Sequence, residues 1–335
     1  MPSPSPTDAT VAAGRFKVVI AFYQREPGLL ARAVRSALEQ PVEDLEVLVV
    51  DDESPVPATS ELEELCSEDR ERVRVLSRVN GGPAQARNTA LEAIGDNADY
   101  VAFLDSDDAW TPDHLSRAGL AFERGYEVYF SNWIPLESEQ DAYAFFKRRP
   151  PIGDELIPGS GQFAYAGDFL AQELTQPLAR LSTLVYSWER FSEVRFEEDL
   201  RWASEDRLFR AQLATQNPRI ALSLRPECTS GEGVNIFSGS AWGTEAFFHT
   251  AGDQVAALRT ARRKLPLEVK HLNIVREALR DSRQDLAASW MHFSRRHPLR
   301  GLSWLGRLTA RDPALCWCMP AGVLRALMQR GRAGS

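Results

Sequence analysis

The sequence has few cysteines and no long apolar run. Its 335 residues include Cys66, Cys228, Cys316 and Cys318, and no two of these have the C-x-x-C spacing of a metal site. No uninterrupted apolar stretch approaches the ~18 residues that a membrane-spanning helix needs. The first fourteen residues are rich in proline and lack the basic start and apolar centre of a signal peptide. These absences predict a cytoplasmic protein with reduced thiols and a disordered leader over residues 1–14.

Two common nucleotide-binding signatures are also missing. The segment NGGPAQARN, residues 80–88, has adjacent glycines where a backbone can approach a ligand closely. It is neither the G-x-G-x-x-G of dinucleotide-binding folds nor a P-loop ending in Gly-Lys-Ser/Thr. Dinucleotide-binding and ATP-binding classes therefore lose support.

Charge is distributed unevenly along the chain, whose formal net charge is −8. Residues 255–335 hold 16 Lys and Arg against 5 Asp and Glu, so the rest of the chain is strongly acidic. Such a basic segment is attracted to nucleic acid, to anionic lipid or to the acidic part of its own protein.

The basic segment is also helical in pattern. Prolines interrupt it at positions 266, 298, 313 and 320, and its arginines are interleaved with Trp290, Phe293, Trp304 and Trp317. An interfacial membrane helix has this composition. A helical extension that packs on the rest of the protein has it too, so both interpretations stay open.

Residues 16–135 alternate between two periodicities. Short β-prone runs are followed by segments with helical spacing of apolar residues. The predicted strands are FKVVIAF (16–22), LEVLVV (45–50), VRVLS (73–77) and YVAFL (100–104). The predicted helices are GLLARAVRSALEQ (28–40), the acidic SELEELCSE (60–68) and PAQARNTALEAI (83–94). Strands that alternate with helices predict a mainly parallel, Rossmann-like sheet flanked by helices.

Polar residues follow each of the four predicted strands, where ligands of such sheets gather. They are Tyr23, then Asp51 and Asp52, then 80–87, then Asp105, Ser106, Asp107 and Asp108. The last group could form an ordinary turn, but packed carboxylates repel each other unless a cation joins them. A divalent cation held by Asp107 could bridge to phosphate oxygens, and Arg87 adds positive charge. Tyr23 could stack on a base, and Asp52 could accept hydrogen bonds from a base or ribose.

The four motifs resemble those of family-2 glycosyltransferases. VVIAFYQRE, VLVVDDES, NGGPAQARNTAL and FLDSDDAWTPDHL have the order and spacing seen in that family. The resemblance implies a GT-A fold, a nucleotide-sugar donor with UDP favoured, and a divalent metal, Mn²⁺ or Mg²⁺. It implies donor contacts by Phe22, Tyr23, Asp52, Arg87, Asp105 and Ser106, and metal contacts by Asp107 and Asp105. In SEDRLFRAQLA, predicted to be a helix beginning near Ser204, it makes Asp206 the catalytic base of an inverting transfer.

The sequence departs from the family pattern in three places. Gln24 replaces the usual Asn, and Glu53 stands where VDDGS has glycine. Relatives often carry a metal-binding His after the catalytic acid, and RPECTSGEGVNIFSG has none. Glu227, Glu232 or His249 could substitute, but none is assigned, and His249 has the setting of a packing residue. A catalytically silent nucleotide-sugar-binding partner therefore remains an alternative.

The resemblance divides the chain into a catalytic domain, residues 15–250, and a basic helical C-terminal extension, 251–335. Within the catalytic domain, 15–135 would bind the donor and 136–250 the acceptor. Trp133, Trp188 and Trp202 would form either a sugar-stacking platform or core.

The implied function is transfer of a sugar to a hydroxyl of a glycan or lipid-linked glycan in surface polysaccharide biosynthesis. A polyprenyl-phosphate sugar transferase is the enzyme alternative. No nucleic-acid partner is predicted. The sequence does not determine whether the extension binds the anionic inner face of the plasma membrane as a peripheral segment or packs on the catalytic domain, nor does it determine the oligomeric state.

Overall fold

The computed structural model describes residues 12–233 and 239–318. Most of the leader predicted over residues 1–14, and Pro320, lie outside the described residues. The first strand begins at Ala12, so residues 12–14 belong to a strand rather than to a leader. Within the described ranges, no helix has the length and apolar character needed to cross a membrane.

The chain divides into two compact units that are each discontinuous in sequence. The sheet unit comprises Met1–Asp168, Pro177–Phe196 and Gln216–Val234. The helical unit comprises Phe169–Gln176, Glu197–Thr215 and Asn235–Ser335. The contiguous division at residue 250, and the donor and acceptor parts predicted within it, do not coincide with these units. Each of the three segments of the helical unit includes residues of the predicted acceptor part.

The described strands of the sheet unit form one ten-stranded sheet. They are β1 Ala12–Phe22, β2 Val42–Asp51, β3 Val73–Ser77, β4 Tyr100–Phe103, β5 Ala109–Trp110, β6 Val128–Ile134, β7 Ile152–Glu155, β8 Gln162–Tyr165, β9 Val185–Ser187 and β10 Ile220–Thr229. Their order is β3-β2-β1-β4-β9-β6-β10-β8-β7, and β5 pairs with β10. The four predicted strands are all present and lie side by side.

The sheet is mixed rather than mainly parallel. Its first four strands are parallel, as expected, and so are β6 and β10. The three-residue β9 pairs antiparallel with both β4 and β6, and β5, β7 and β8 add further antiparallel pairings. These short strands have little hydrophobic periodicity of their own, so sequence patterning does not detect them.

Short helices connect the strands of the sheet unit. They are α1 Leu29–Leu38, α2 Ala58–Glu61, α3 Ser67–Glu71, α4 Pro83–Ile94, α5 His114–Phe122, α6 Ala142–Phe145 and α8 Trp188–Phe191, with a 3₁₀ turn at Leu181–Thr183. The single acidic helix predicted over residues 60–68 is wrong, because α2 and α3 are two separate short helices. Helix α4 begins at Pro83, as predicted, with proline in its first turn, where the missing N–H needs no partner.

Parallel register places the ends of β1 to β4 at one edge of the sheet. Phe22 is opposite Asp51, Asp51 is opposite Ser77, and Val19 is opposite Phe103. Strands β1, β2 and β4 are largely apolar and buried where they pair, whereas β3 at the edge is only partly buried, and the backbone of β1 is hydrogen-bonded on both sides. The polar segments that follow these strands therefore emerge together, as the sequence predicts.

Five helices of the helical unit have both ends within the described residues. They are α7 Phe169–Thr175, α9 Glu205–Ala214, α10 Glu245–Lys264, α11 Val269–Arg296 and α12 Pro298–Arg311. Phe248, Leu286, Phe293, Trp304 and Leu308 belong to the core of this unit. The breaks at Pro266, Pro298 and Pro313 fall between or after helices, because proline cannot continue a helix interior.

Aromatic residues of the extension divide between core and surface. Phe293 and Trp304 are buried, which supports the packing interpretation for them. Trp290 is half-buried, and its indole N–H donates to the carbonyl of Gly301 at 2.7 Å. Trp317 is 87% exposed. Only part of the aromatic set is therefore placed where a membrane could reach it.

Candidate active site

The loop after β2 is held against the loop after β3 by Asp52. The Asp52 carboxylate accepts from the backbone N–H groups of Gly81 at 3.0 Å and Gly82 at 2.7 Å, and it lies 3.2 Å from Arg78. Asp52 is only 3% exposed. Both carboxylate oxygens are thus engaged, and the structure gives Asp52 a positioning role for the glycine loop. The nucleoside contact expected of it stays a prediction.

Phe22 and Tyr23, at the end of β1, have different environments. The Phe22 ring is 1% exposed and belongs to the core, and the donor contact expected of Phe22 stays a prediction. Its carbonyl accepts from the N–H of Asp52 at 3.0 Å and so aligns the two loops. Tyr23 is half-buried, and its ring remains suited to stacking.

Glu53 and Gln24, the two residues that depart from the family motifs, both have structural consequences. Glu53, which stands where the family has glycine, adopts φ +59°, in the left-handed region that glycine enters without strain. Its carboxylate accepts from the N–H of Asn80 at 3.2 Å, a contact that glycine lacks. Gln24 donates to the hydroxyl of Ser106 at 3.1 Å and so joins the loops after β1 and β4. Ser106 is 5% exposed, so its hydroxyl positions this loop rather than facing open solvent.

Asp105 is paired with Arg87, as their shared edge suggests. Arg87, on α4, donates to the Asp105 carboxylate at 2.9 Å, and its guanidinium lies 5.4 Å from the Phe196 ring centroid. The Arg87 side chain is 9% exposed, whereas that of Asp105 is 30% exposed. A largely buried cation therefore supports a carboxylate that is still accessible to a ligand.

Asp107 lies under a glycine segment that the sequence does not connect with it. A Cβ atom added to Gly231 would be 1.7 Å from the Asp107 carbonyl oxygen, and one added to Gly233 would be 2.4 Å from its carboxylate. Only glycine allows the backbone to approach this closely. Burial and the neighbouring Asp105 carboxylate raise the pKa of Asp107. Both effects disfavour the charged form, and a bound cation would reverse them.

Asp108 has a partner that sequence reasoning missed. Arg180 donates to its carboxylate at 3.0 Å and to the hydroxyl of Ser230 at 2.7 Å. Asp108 is fully buried, and burial, with the nearby Asp105 and Asp107 carboxylates, raises its pKa to about 7 despite Arg180. Arg180 precedes the 3₁₀ turn and has no motif around it, so no sequence signal identifies it.

The acidic segment fits a divalent cation that shares its coordination with a ligand. Among the residues described, no group of three or more His, Cys, Asp or Glu side chains could hold a metal alone. Mg²⁺ commonly takes one or two carboxylates and completes its shell with substrate phosphates and water. Asp105 and Asp107 provide such a pair of carboxylates, so the residues present fit the predicted metal.

Glu227 is not available as a further metal ligand. It is 1% exposed and lies in a buried cluster with His114 at 2.9 Å, Arg117 at 2.5 Å and the hydroxyl of Tyr129 at 2.8 Å. Although burial acts to raise it, the hydrogen bond with His114 and the charge of Arg117 hold the pKa of Glu227 below 4.5. Glu232 is exposed. Glu227 therefore anchors α5 to β10.

Asp206 lies in the first turn of α9, as predicted, in the helical unit. Its carboxylate accepts from the N–H of Arg207 at 2.7 Å and from the guanidinium of Arg210 at 2.9 Å. Arg210 is 2% exposed and also pairs at 2.8 Å with the fully buried Glu173 on α7. The Asp206 side chain is 35% exposed, so it is oriented by a buried arginine while remaining accessible. Glu173 and Arg210 were not found from the sequence.

The proposed tryptophan platform is wrong for two of its three members. Trp133 and Trp188 are 7% and 5% exposed and lie in the core of the sheet unit. Trp202, in the helical unit, is 42% exposed and lies 4.5 Å from the ring of His249. The centroids of the His249 and Trp304 rings are 4.9 Å apart, in keeping with the packing role expected of His249.

Comparison with known proteins assigns the chain to a family. Residues 17–166 match the model of glycosyl transferase family 2. The chain is 33% identical over 312 residues to the succinoglycan biosynthesis protein ExoW of Rhizobium meliloti (strain 1021), covering 90% of this chain and 95% of that protein.

Solved structures share the fold. S. aureus TarS 1-349 in complex with UDP-GlcNAc gives a TM-score of 0.56 at 21% identity, over 90% of this chain and 89% of that chain. Mannosyltransferase PcManGT from Pyrobaculum calidifontis, in complex with GDP-Man and Mn²⁺, gives 0.54 at 17% identity, over 98% and 90%. The chain therefore belongs to glycosyltransferase family 2 and is a glycosyltransferase with the GT-A fold.

Proposed function

We propose that this enzyme transfers a sugar from a UDP-sugar to a hydroxyl of a glycan or lipid-linked glycan, with inversion and with a divalent metal. The observation that carries the proposal is the acidic segment at the edge of the sheet, where Asp105 pairs with the buried Arg87 and the Asp107 carboxylate is close enough to that of Asp105 to be affected by its charge. The ExoW relative acts in succinoglycan biosynthesis by its name, which supports a role in polysaccharide assembly. The TarS complexes with UDP and UDP-GlcNAc support UDP as the nucleotide.

The donor site combines an aromatic ring, a cation and two carboxylates. Tyr23 stacks on the base, and Arg87 places positive charge near the diphosphate. Asp105 and Asp107 would hold the metal, which would supply positive charge to the diphosphate as it leaves. Asp52 holds the glycine loop through the N–H groups of Gly81 and Gly82, which fixes the start of α4, the helix that carries Arg87.

Asp206 acts as the general base. Its carboxylate takes the proton of the acceptor hydroxyl while that oxygen forms a bond to the anomeric carbon of the donor sugar. The bond from the anomeric carbon to the diphosphate breaks, and its electron pair leaves with UDP. Attack from the opposite face inverts the anomeric centre. Arg210 holds the Asp206 carboxylate in place. Because Arg210 also forms an ion pair with Glu173, it neutralises the charge of Asp206 only in part.

Metal-dependent binding of UDP tests the donor site. Calorimetry should show much tighter binding of UDP with Mn²⁺ than with chelator, and Asp107→Asn should remove that difference. Asp154→Asn, at an exposed position on β7, is the matched control and should keep it. Equal binding with and without metal in the wild-type protein would contradict the proposed site. Hydrolysis of UDP-sugars in the absence of acceptor separates an enzyme from a silent binding partner.

Peripheral membrane binding is a second part of the proposal. Leu299 and Leu302 on α12 are 82% and 65% exposed, and the exposed Arg295, Arg296 and Arg300 lie close to them in sequence. Exposed apolar side chains among arginines are typical of a segment that binds anionic lipid.

Vesicle sedimentation tests the membrane contact. Full-length protein should bind phosphatidylglycerol vesicles at low salt, and Leu299→Ser with Leu302→Ser should weaken that binding. Val269→Ser, at a position 73% exposed at the start of α11, should not. Wild-type protein that ignores anionic vesicles at low salt would exclude the contact.

A further inference from the structure

The helical unit contains a large cavity whose lining includes none of the residues assigned to the donor. Its volume is about 1070 Å³, and it lies between the segment 197–202, helices α10 and α11, and residues 311–314. Six arginines line it and no lysine does: Arg201, Arg259, Arg262, Arg263, Arg283 and Arg311. Arginine presents a planar set of donors that matches carboxylate and phosphate oxygens two at a time, so this lining is suited to oxyanions.

The arginines of this pocket are only partly neutralised by the protein. Four acids also line it, which leaves a net charge of +2 for the lining. Asp312 is bound by both arms of Arg283, at 2.7 and 3.0 Å, and Asp253 pairs with Arg311 at 2.6 Å. These pairs fix the deeper part of the pocket.

Other cations of the pocket region remain available to a ligand. Glu197, a further acid of the lining, is already paired with Lys264 at 2.6 Å. Arg262 and Arg263, in the last turn of α10, are exposed and have no ion pair within the described part of the chain. A solvated, unpaired pair of guanidiniums beside a cavity is the arrangement expected of an anion site.

Trp202 forms part of the wall of the same pocket. Trp202 is 42% exposed and has the His249 ring 4.5 Å away. The buried Asp253 accepts from the N–H groups of Trp202 at 2.5 Å and Ala203 at 3.2 Å, which fixes this segment. The exposed face of the Trp202 ring is a rigid apolar surface beside the arginines, and a sugar ring can pack on such a surface.

We propose that this arginine pocket binds an anionic saccharide as part of the acceptor. The phosphate or carboxylate oxygens of the saccharide contact the arginines, and a sugar ring packs on Trp202. The assignment rests on the proposed glycosyl transfer, in which Asp206 deprotonates the acceptor. Trp202 precedes Asp206 by four residues, in the segment that leads into α9, so the pocket wall and the candidate base are close together in sequence within the helical unit.

Calorimetry with full-length protein in chelator tests the pocket apart from the metal-dependent donor site. The probes are inorganic pyrophosphate, tetragalacturonate and the uncharged cellotetraose. We expect both anions to bind, with affinity that falls as salt is added, and cellotetraose to bind at least about tenfold more weakly than tetragalacturonate. Binding of pyrophosphate alone would identify a phosphorylated saccharide, and binding of tetragalacturonate alone would identify an acidic one.

Two variants locate the binding. Arg262→Gln with Arg263→Gln should weaken anion binding about tenfold or more, because contacts to charged groups are lost. Arg276→Gln with Arg280→Gln is the matched control, since these are also exposed arginines on a helix of the helical unit but do not line the pocket, and it should bind normally. Trp202→Leu should weaken binding of tetragalacturonate and leave pyrophosphate unchanged.

The outcomes separate this proposal from the function it rests on. Wild-type protein that binds neither anion, or a 262/263 variant that binds as well as wild type, would overturn the pocket assignment. UDP binding with Mn²⁺ should be normal in every variant. Wild-type protein that binds the anions but not UDP would contradict the proposed donor function while leaving the pocket intact.

Discussion

Replacing Asp206 by asparagine separates catalysis from folding in this enzyme. The substitution keeps the size of the side chain and an oxygen that can accept from Arg207 or Arg210. It removes the group that takes the proton of the acceptor. Because Arg210 keeps its buried partner Glu173 at 2.8 Å, the interior of the helical unit retains its ion pair.

The two expected magnitudes differ widely. Loss of a positioned general base lowers turnover by roughly 10²- to 10⁴-fold, or about 3 to 5 kcal/mol of activation free energy. The Asp206 side chain is 35% exposed, and its contact with Arg210 is an i,i+4 pair on one helix. Arg210 is buried but keeps Glu173, and the Asp206 end of the pair is open to solvent, so the free energy of unfolding should fall by about 1 kcal/mol, the upper end for exposed pairs.

The assay combines three measurements on wild type and variant. Single-turnover transfer from UDP-sugar reports the chemical step, calorimetry with UDP and Mn²⁺ reports the donor site, and thermal unfolding reports stability. Glu205→Gln, at the adjacent position of the same helical turn, is the control and should cost less activity. An Asp206→Asn protein that binds UDP and transfers sugar at nearly the wild-type rate would remove Asp206 from the mechanism. If Glu205→Gln were then inactive, the base would have to be reassigned.

Three further predictions follow from buried or tightly packed positions. Glu173→Gln removes the carboxylate of a buried ion pair and should lower the free energy of unfolding by about 3 to 5 kcal/mol in denaturant titrations. Gly231→Ala would place a Cβ 1.7 Å from the Asp107 carbonyl oxygen and should abolish metal-dependent UDP binding, whereas Gly306→Ala, with nothing within 4 Å, should not. The pKa of Glu227 is lower in the folded protein than its ordinary 4.5, so its stabilising effect is present above that value and is lost as pH falls. The melting temperature should therefore decrease as the pH is lowered below about 4.5. If the melting temperature of Glu227→Gln decreased as steeply with pH, Glu227 would not be the cause.

The sequence by itself determined the elements whose pattern is local. Strands β1 to β4 and helices α1, α4 and α9 were predicted because each carries enough apolar residues at one period to reveal its type. The common edge of their polar ends followed from parallel pairing alone. The motifs gave the family, since their residues are contiguous and their spacing is preserved.

Only the tertiary structure decided which partners these motif residues have. Asp108 meets Arg180, which is 72 residues away, and Arg210 meets Glu173, which is 37 residues away. The burial of Phe22, Trp133 and Trp188 could not be predicted from local sequence either. An aromatic residue has the same local pattern whether it lies in the core or in a binding cleft. Burial and ion pairing depend on segments distant in sequence that pack together, and no spacing within one segment encodes which of 39 basic residues will neutralise a given carboxylate.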